Sequence, residues 1–312
     1  DFIEGDICSR ATVQEVFAEH RPTHILNFAA ESHVDRSIDG PRTFIDTNIV
    51  GTFELLEAAR GHFAALPDVE KKRFRFLQIS TDEVYGSLAA EGYFTEETPY
   101  TPNSPYAASK ASADLLVGAY HQTYGLPTLT TNCSNNYGPH QFPEKLIPLT
   151  ITNILEGKNI PVYGDGLNVR DWLYVDDHCR AIDMILQKGR IGEIYNIGGN
   201  NEWTNIDIVK LICQLLDDKF AEVGVMAAKF PKAPQNSGKK AESLLTFVKD
   251  RLGHDRRYAS NASKITSGLG YAPAESFETG IRKTLEWYLA NEEWWRRIMD
   301  GSYREWLECN YQ

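Results

Sequence analysis

Residues 73–86 read R-F-R-F-L-Q-I-S-T-D-E-V-Y-G. Phe74, Phe76, Leu77 and Ile79 make an apolar run that stops abruptly at polar residues. A short apolar run bounded by a polar turn reads as a buried strand emptying into a loop. That loop sets Asp82 beside Glu83, and adjacent carboxylates repel. Either both are solvated surface charges, or they share a site and take opposite protonation states.

Outward from this stretch, strands alternate with helices. The pattern predicts strands at 2–4, 24–30, 73–80, 127–133, 172–175 and 193–197. Ser9 is placed to N-cap a helix carrying Val13, Val16 and Phe17. A long amphipathic helix is expected over 43–60. Ser104 caps another, with Pro105 at the first helical position and an end near Tyr124. Further helices are expected at 144–157 and 176–188, and after Thr204, with Asp207 completing a capping-box-like arrangement. Strands separated by helices imply βαβ units and a parallel sheet. Residues 218–243 read as a surface loop or insertion. Trp287, Trp294, Trp295 and Trp306 read as parts of packed amphipathic helices.

The 312 residues suffice for one large α/β domain or a domain with a smaller lobe. A net charge of −11 argues against a general nucleic-acid or acidic-membrane binder. An anionic small ligand stays open, because a local arginine cluster overrides the global field. Cys8, Cys133, Cys179, Cys213 and Cys309 are scattered with no zinc-type spacing. A reducing cytosol is the simplest compartment for them. No apolar stretch is long enough to span a bilayer.

Tyr106 and Lys110 stand one helical turn apart, on one face. An ammonium near a phenol favours the phenolate, so this pair suits a tyrosine base. In an open parallel sheet, ligands bind beyond the carboxyl ends of the strands. Residues 29–32, 80–83 and 132–136 follow such ends, and the helix with Tyr106 and Lys110 starts between them. The convergence favours a shared site for Asp82 and Glu83 over a solvated turn.

The order A-A-E-S-H-V-D (29–35), S-T-D-E-V-Y-G (80–86) and Y-A-A-S-K (106–110) resembles the extended short-chain dehydrogenase/reductase superfamily. More closely, it resembles the dTDP-glucose 4,6-dehydratase family. N-C-S-N-N-Y-G-P (132–139), P-E-K-L-I-P-L (143–149), V-R-D-W-L-Y-V-D-D-H (169–178) and G-H-D-R-R-Y (253–258) carry the same resemblance. It covers nearly the whole chain, and T-D-E is its most specific part. It implies a Rossmann-like, doubly wound parallel α/β sheet with a smaller C-terminal substrate-binding lobe. An NAD-binding domain is expected over 1–140, with 172–200 returning to it. The nucleotide-sugar lobe is expected over 141–171 and 201–312.

The resemblance also implies roles. Tyr106, assisted by Lys110, would take the proton of the sugar 4-hydroxyl as hydride leaves C4 for NAD. Glu83 would remove the C5 proton, Asp82 would protonate the departing 6-hydroxyl, and Thr81 would bond near the 4-position. Asp6, Ile7, Ala29, Ala30, Ser32, Thr47 and Asn136 would lie along NAD, with Tyr106 and Lys110. Ser32, Thr81, Asn135, Glu144, Lys145, Leu146, Pro161, Tyr163, Arg170, Asn205, Arg251 and His254 would line the dTDP-glucose site. Lys145, Arg170 and Arg251 are the cations for its diphosphate. Helices 43–60 and 104–124 would pair across a two-fold axis as a four-helix bundle, giving a homodimer. UDP-sugar 4,6-dehydratases and 4-epimerases compete within the class, and a catalytically silent binding protein is the alternative outside it.

The sequence also departs from the family pattern. It contains no G-x-x-G-x-x-G after a strand, and it opens as though at the third strand of the fold. The expectation is an N-terminally truncated chain that lacks the first strands, folds poorly and binds NAD poorly. Leu252 stands where the family has proline, and Y-A-S-N-A-S-K (258–264) replaces Y-A-I-D-A-S-K. Both lie near the expected nucleotide base, which leaves base preference open between dTDP and UDP.

Overall fold

The computed structural model describes residues 1–222, 224–299 and 301. The main elements in chain order are α1 (Arg10–His20), β1 (His24–Asn27), α2 (Thr52–Ala65), β2 (Arg75–Thr81), α3 (Pro105–Tyr124) and β3 (Thr128–Cys133). There follow β4 (Asn135–Tyr137), α4 (Leu146–Glu156), β5 (Ile160–Tyr163), β6 (Val169–Tyr174), α5 (Val175–Lys188) and β7 (Ile194–Ile197). The last are β8 (Glu202–Thr204), α6 (Asn205–Glu222), β9 (Leu245–Val248), α7 (Phe277–Ala290) and α8 (Glu292–Met299).

The chain forms two compact units. The first comprises Asp1–Asn135, His178–Asn200 and Leu252–Ala272. Its sheet runs β1-β2-β3-β7, and every pairing is parallel. Phe74, just before β2, and Phe76 within it are fully buried in one cluster with Val13 and Phe17 of α1, Leu56 and Ala59 of α2, and Val117 and Tyr120 of α3. The apolar run of the opening stretch is therefore the centre of this core, and its burial is the main local driving force.

Local chemistry fixes the helix ends. The Ser9 hydroxyl accepts from Thr12 N at 3.4 Å, and the Ser104 hydroxyl accepts from Ala107 N at 3.1 Å. Pro105 occupies the first helical position of α3, and Gly125 (φ +66°) ends it in the left-handed region. Thr204 Oγ1 accepts from Asp207 N at 3.1 Å and donates to Asp207 Oδ2 at 2.6 Å, starting α6.

The second unit comprises Asn136–Asp177, Asn201–Arg251 and Pro273–Gln312. Its core joins Ile147, Ile151 and Ile154 of α4 to Ile208, Ile212 and Leu216 of α6 and to Phe277, Ile281 and Leu285 of α7. Two small sheets accompany it, β4-β6-β8 and the parallel pair β5-β9. Trp295 is 1% exposed, and Trp287 and Trp294 pack against the same core. Trp306 lies outside the described residues.

Several expectations are corrected. Residues 2–4, Phe-Ile-Glu, form no strand among the described residues, and Phe2 is 90% exposed. The helix expected over 43–60 runs on from the short helix Pro41–Phe44 through Ile45–Gly51, which is π-helical, into α2. Much of 218–243 is ordered rather than loop: α6 continues to Glu222, and short helices follow at Val225–Lys229, Pro234–Ser237 and Ala241–Leu244. Asp217 Oδ1 stitches this segment, accepting from Gln235 Nε2 at 2.7 Å and Ala241 N at 3.0 Å.

Leu252–Ala272 belongs to the first unit, not to the C-terminal lobe. Backbone bonds tie it there: Phe94 N to Ala259 O, and Asn261 N to Phe94 O, both at 2.8 Å. Conversely, residues 172–177 fall in the second unit.

Candidate active site at the carboxyl end of the parallel sheet

Parallel pairing brings the ends of β1, β2 and β3 to one edge of the first unit. Ser80 faces Asn132 and Thr81 faces Cys133 in register. Residues 29–32, 81–83 and 133–135 leave from that edge. Ala29 N is anchored by Asn27 Oδ1 at 3.2 Å, and Asn27 Nδ2 is itself fixed by Gln78 Oε1 at 2.9 Å.

Helix α3 delivers Tyr106 and Lys110 to this edge. Tyr106 is buried, in contact with the Thr81 hydroxyl and within electrostatic range of Glu83, Cys133 and Asp82. Thr81, Asp82, Glu83 and Tyr106 are thus brought together. Asp82 is 1% exposed, with Ser260 Oγ 3.5 Å from its Oδ2. Thr81 Oγ1 also accepts from Glu83 N at 3.3 Å, which fixes the turn carrying both carboxyls.

Lys110 Nζ donates to Ile79 O at 2.7 Å, and the lysine is 4% exposed. Burial lowers its pKa, while Asp114 and Cys133 raise it. Burial pushes the Tyr106 phenol well above its ordinary value, the Glu83 carboxyl adds to the rise, and the Thr81 hydroxyl opposes it. The Lys110 ammonium is engaged by the Ile79 carbonyl.

Asn48, Ser109 and Asp114 are site-supporting residues that the sequence reading missed. Asn48 sits in the π-helical stretch, which shifts its register relative to an α-helix. Its Oδ1 accepts from Glu31 N at 2.9 Å, and its Nδ2 donates to Glu31 O at 3.0 Å and Ser109 Oγ at 2.8 Å. One side chain thereby ties the segment after β1 to the helix that carries the tyrosine. The available signal was a fully polar amide on the face of a helix expected to be apolar.

The residues expected along NAD separate into groups. Ala29, Ala30 and Ser32 follow β1, and Thr47 lies in the π-helical stretch beside Asn48. Asp6 Oδ1 accepts from Cys8 N at 2.8 Å, and Ile7 packs so closely on Gly51 that a Cβ there would meet Ile7 Cδ1 at 2.5 Å. Asn136 is in β4, and its carbonyl accepts from Gln141 Nε2 at 2.8 Å. The side-chain oxygen of Asn135 is buried without a partner, an acceptor left for a ligand. These donors and acceptors suit the nicotinamide half of NAD: an ammonium, hydroxyls and strand-end backbone at one sheet edge. No glycine-rich turn between a strand and a helix occurs among the described residues, so contacts with the pyrophosphate are not assigned to this chain.

Most residues expected at the nucleotide sugar lie in the second unit. Tyr163 ends β5 opposite Val248 of β9, and Gly164 N donates to Val248 O at 3.0 Å. Gly166 O accepts from Ile206 N at 2.9 Å, and Asn168 O accepts from Asn205 N at 3.0 Å. Pro161, Tyr163, Asn205 and Arg170 therefore surround the 164–168 loop, and Arg251 follows β9 nearby. Arg170 is 5% exposed, with Nη1 donating to Val169 O at 2.7 Å. Glu144, Lys145 and Leu146 sit at the start of α4. His254 lies in the first unit, apart from Arg251 in this division. No group of His, Cys, Asp and Glu suited to a metal occurs among the described residues. No helix among them is long and apolar enough to cross a membrane.

Residues 1–284 match the family model described as GDP-mannose 4,6 dehydratase. The chain is 57% identical over 303 residues to a dTDP-glucose 4,6-dehydratase of Xanthomonas campestris pv. campestris, covering 97% of this chain and 83% of the relative. Among solved structures, a dTDP-glucose 4,6-dehydratase of Streptomyces venezuelae with NAD bound superposes with a TM-score of 0.81 at 44% identity, over 95% of this chain and 82% of that one. The corresponding Bacillus anthracis enzyme in complex with NAD gives a TM-score of 0.78 at 48% identity, with the same two coverages.

Proposed function

The chain belongs to the dTDP-glucose 4,6-dehydratase family, and on that premise we propose that it removes water from dTDP-glucose to give dTDP-4-keto-6-deoxyglucose. The observation that carries the reading is the environment of Tyr106, which hydrogen-bonds Thr81 and lies within electrostatic range of Glu83, Asp82 and Cys133. The chemistry supplied by bound NAD is acceptance of hydride from C4 and its return to C6. Ala29, Ala30, Ser32, Thr47, Tyr106, Lys110 and Asn136 are the residues assigned to it, with Asp6 and Ile7 beside them.

Tyr106 takes the proton of the sugar 4-hydroxyl, and Thr81 holds that oxygen. The 4-ketone acidifies C5–H, and Glu83 removes that proton. Asp82 gives a proton to the 6-hydroxyl, which leaves as water. Glu83 then returns its proton to C5, and once Tyr106 has released its proton and Asp82 has regained one through solvent, the net change is loss of water. Adjacent carboxyls disfavour each other's charge, which suits one acid and one base.

Lys145, Arg170 and Arg251 are assigned to the diphosphate, with Asn135 and Asn205 donating hydrogen bonds. Ser32, Glu144, Leu146, Pro161, Tyr163 and His254 complete the assigned contacts. The first unit then carries the reacting groups and most of the second carries the nucleotide contacts.

The test is turnover of dTDP-glucose and UDP-glucose, read by the alkaline absorbance of a 4-keto-6-deoxy product. Product from dTDP-glucose in preference is expected; an epimer without that absorbance would replace the reading with a 4-epimerase. Asp82→Asn is expected to slow elimination by roughly 10²–10⁴-fold while sparing C4 oxidation. Equal loss of both partial reactions refutes the assigned roles.

The reading extends to a homodimer through the helices at 41–65 and 105–124. Ile45, Val50 and Leu115 are exposed apolar residues on them, at 40%, 40% and 65%. Light scattering should give twice the chain mass, and Leu115→Glu should shift it toward one chain. A cytosolic setting fits Cys8, Cys133, Cys179 and Cys213, which form no disulfide among the described residues.

A further inference from the structure

Tyr106, Lys110 and Asp114 succeed one another at four-residue spacing on α3, so phenol, ammonium and carboxyl share one helix face. Asp114 is 5% exposed. Its Oδ2 accepts from Ser80 Oγ at 2.6 Å and from Tyr100 OH at 3.4 Å, and its Oδ1 is buried without a partner. Behind Tyr100, Asn132 Nδ2 donates to Tyr100 OH at 3.2 Å and to Tyr85 OH at 2.8 Å. Tyr85 OH passes its proton on toward Asn196 Oδ1 at 2.8 Å, and Glu96 Oε1 accepts from Asn196 N at 2.9 Å.

The direction of these bonds is informative. Both hydrogen bonds at Asp114 are donated to it, which suits a carboxylate. A buried carboxylate served only by neutral donors is expensive to maintain. The cation acting on Asp114 is Lys110. Reciprocally, the carboxylate that works to keep the proton on Lys110 against burial is Asp114. Tyr85 and Tyr100 face the network as neutral phenols, pushed far above their ordinary values by burial.

We propose that Asp114, set in place by Ser80, is a positioning residue for the reaction described above: it holds Lys110 as an ammonium at the Ile79 carbonyl, beside the tyrosine base. The proposal rests on that functional reading. Burial raises the Asp114 carboxyl to about 7, so its charge arises close to neutral pH. Loss of that charge frees burial to pull the proton from Lys110 earlier.

The experiment follows the 13Cε resonance of Lys110 in the full chain labelled with 13C-lysine, identified by its loss in Lys110→Arg. In Asp114→Asn the Lys110 midpoint should fall by about one pH unit. Ser80→Ala should shift it the same way by less, and it decides the matter should Asp114→Asn not fold. With dTDP-glucose as substrate, Asp114→Asn should also move the descending limb of the kcat/KM profile to lower pH, because Lys110 loses its proton sooner, and leave the ascending limb in place, because Lys110 keeps its proton there.

An unmoved Lys110 midpoint overturns the proposal. So does a lowered plateau with both limbs in place, the mark of a purely structural role. A parent chain that forms no 4-keto product strikes the functional reading instead, and the Lys110 titration still decides the role of Asp114.

Discussion

β1 and β2 lie side by side, His24 opposite Arg75 through Asn27 opposite Gln78, yet they occupy different environments. β2 pairs on both sides, and Phe76 and Leu77 are fully buried. β1 is the end of the sheet among the described residues, with Leu26 37% exposed and Phe28, just after it, 57% exposed. The reactive turn follows the strand held from both sides. That placement is physical: a turn that keeps two carboxyls and a threonine in fixed geometry needs a strand end that does not fray. The segment after β1 gains comparable order through the Asn48 side chain rather than through pairing.

The largest expected effect breaks this contrast directly. Phe76→Ala removes a fully buried ring at the centre of the first core and should cost about 3–5 kcal/mol in denaturant unfolding. Leu26→Ala, at a position more than a third exposed, should cost less than about 1 kcal/mol. Comparable losses at the two sites would mean that β1 is covered as fully as β2, and the contrast would fail.

What the sequence disclosed follows the same division. The run 73–80 was legible because its burial is continuous, and helix 105–124 because serine, proline and glycine mark both ends. Thr81, Asp82, Glu83 and Tyr106 were legible from spacing plus the rule that parallel strands empty to one edge; Thr81 hydrogen-bonds Tyr106, and both carboxyls lie within electrostatic range of it. The triplet 2–4 misled because two apolar residues before a glutamate are too short a pattern to mark a strand. Asn48 and Asp114 were illegible for another reason: a polar residue on a helix normally marks the solvent face, and only the packed structure turns these two inward. The spacing of Tyr106, Lys110 and Asp114 was visible, but the expected action of Lys110 on Tyr106 depended on where its ammonium points.

The smallest expected effect sharpens the comparison at the edge itself. An end strand with exposed apolar side chains is a template for pairing with another chain, and lysine is a common means of blunting it. Leu26→Lys should leave unfolding stability within about 0.5 kcal/mol, because the side chain already reaches solvent and a lysine stem can cover the same surface. It should nevertheless lower concentration-dependent light scattering. The equivalent change at Leu77, one strand inward and fully buried, should abolish folding. If Leu26→Lys leaves the scattering unchanged, the exposed edge is not where copies associate, and attention moves to the exposed apolar residues Ile45, Val50 and Leu115.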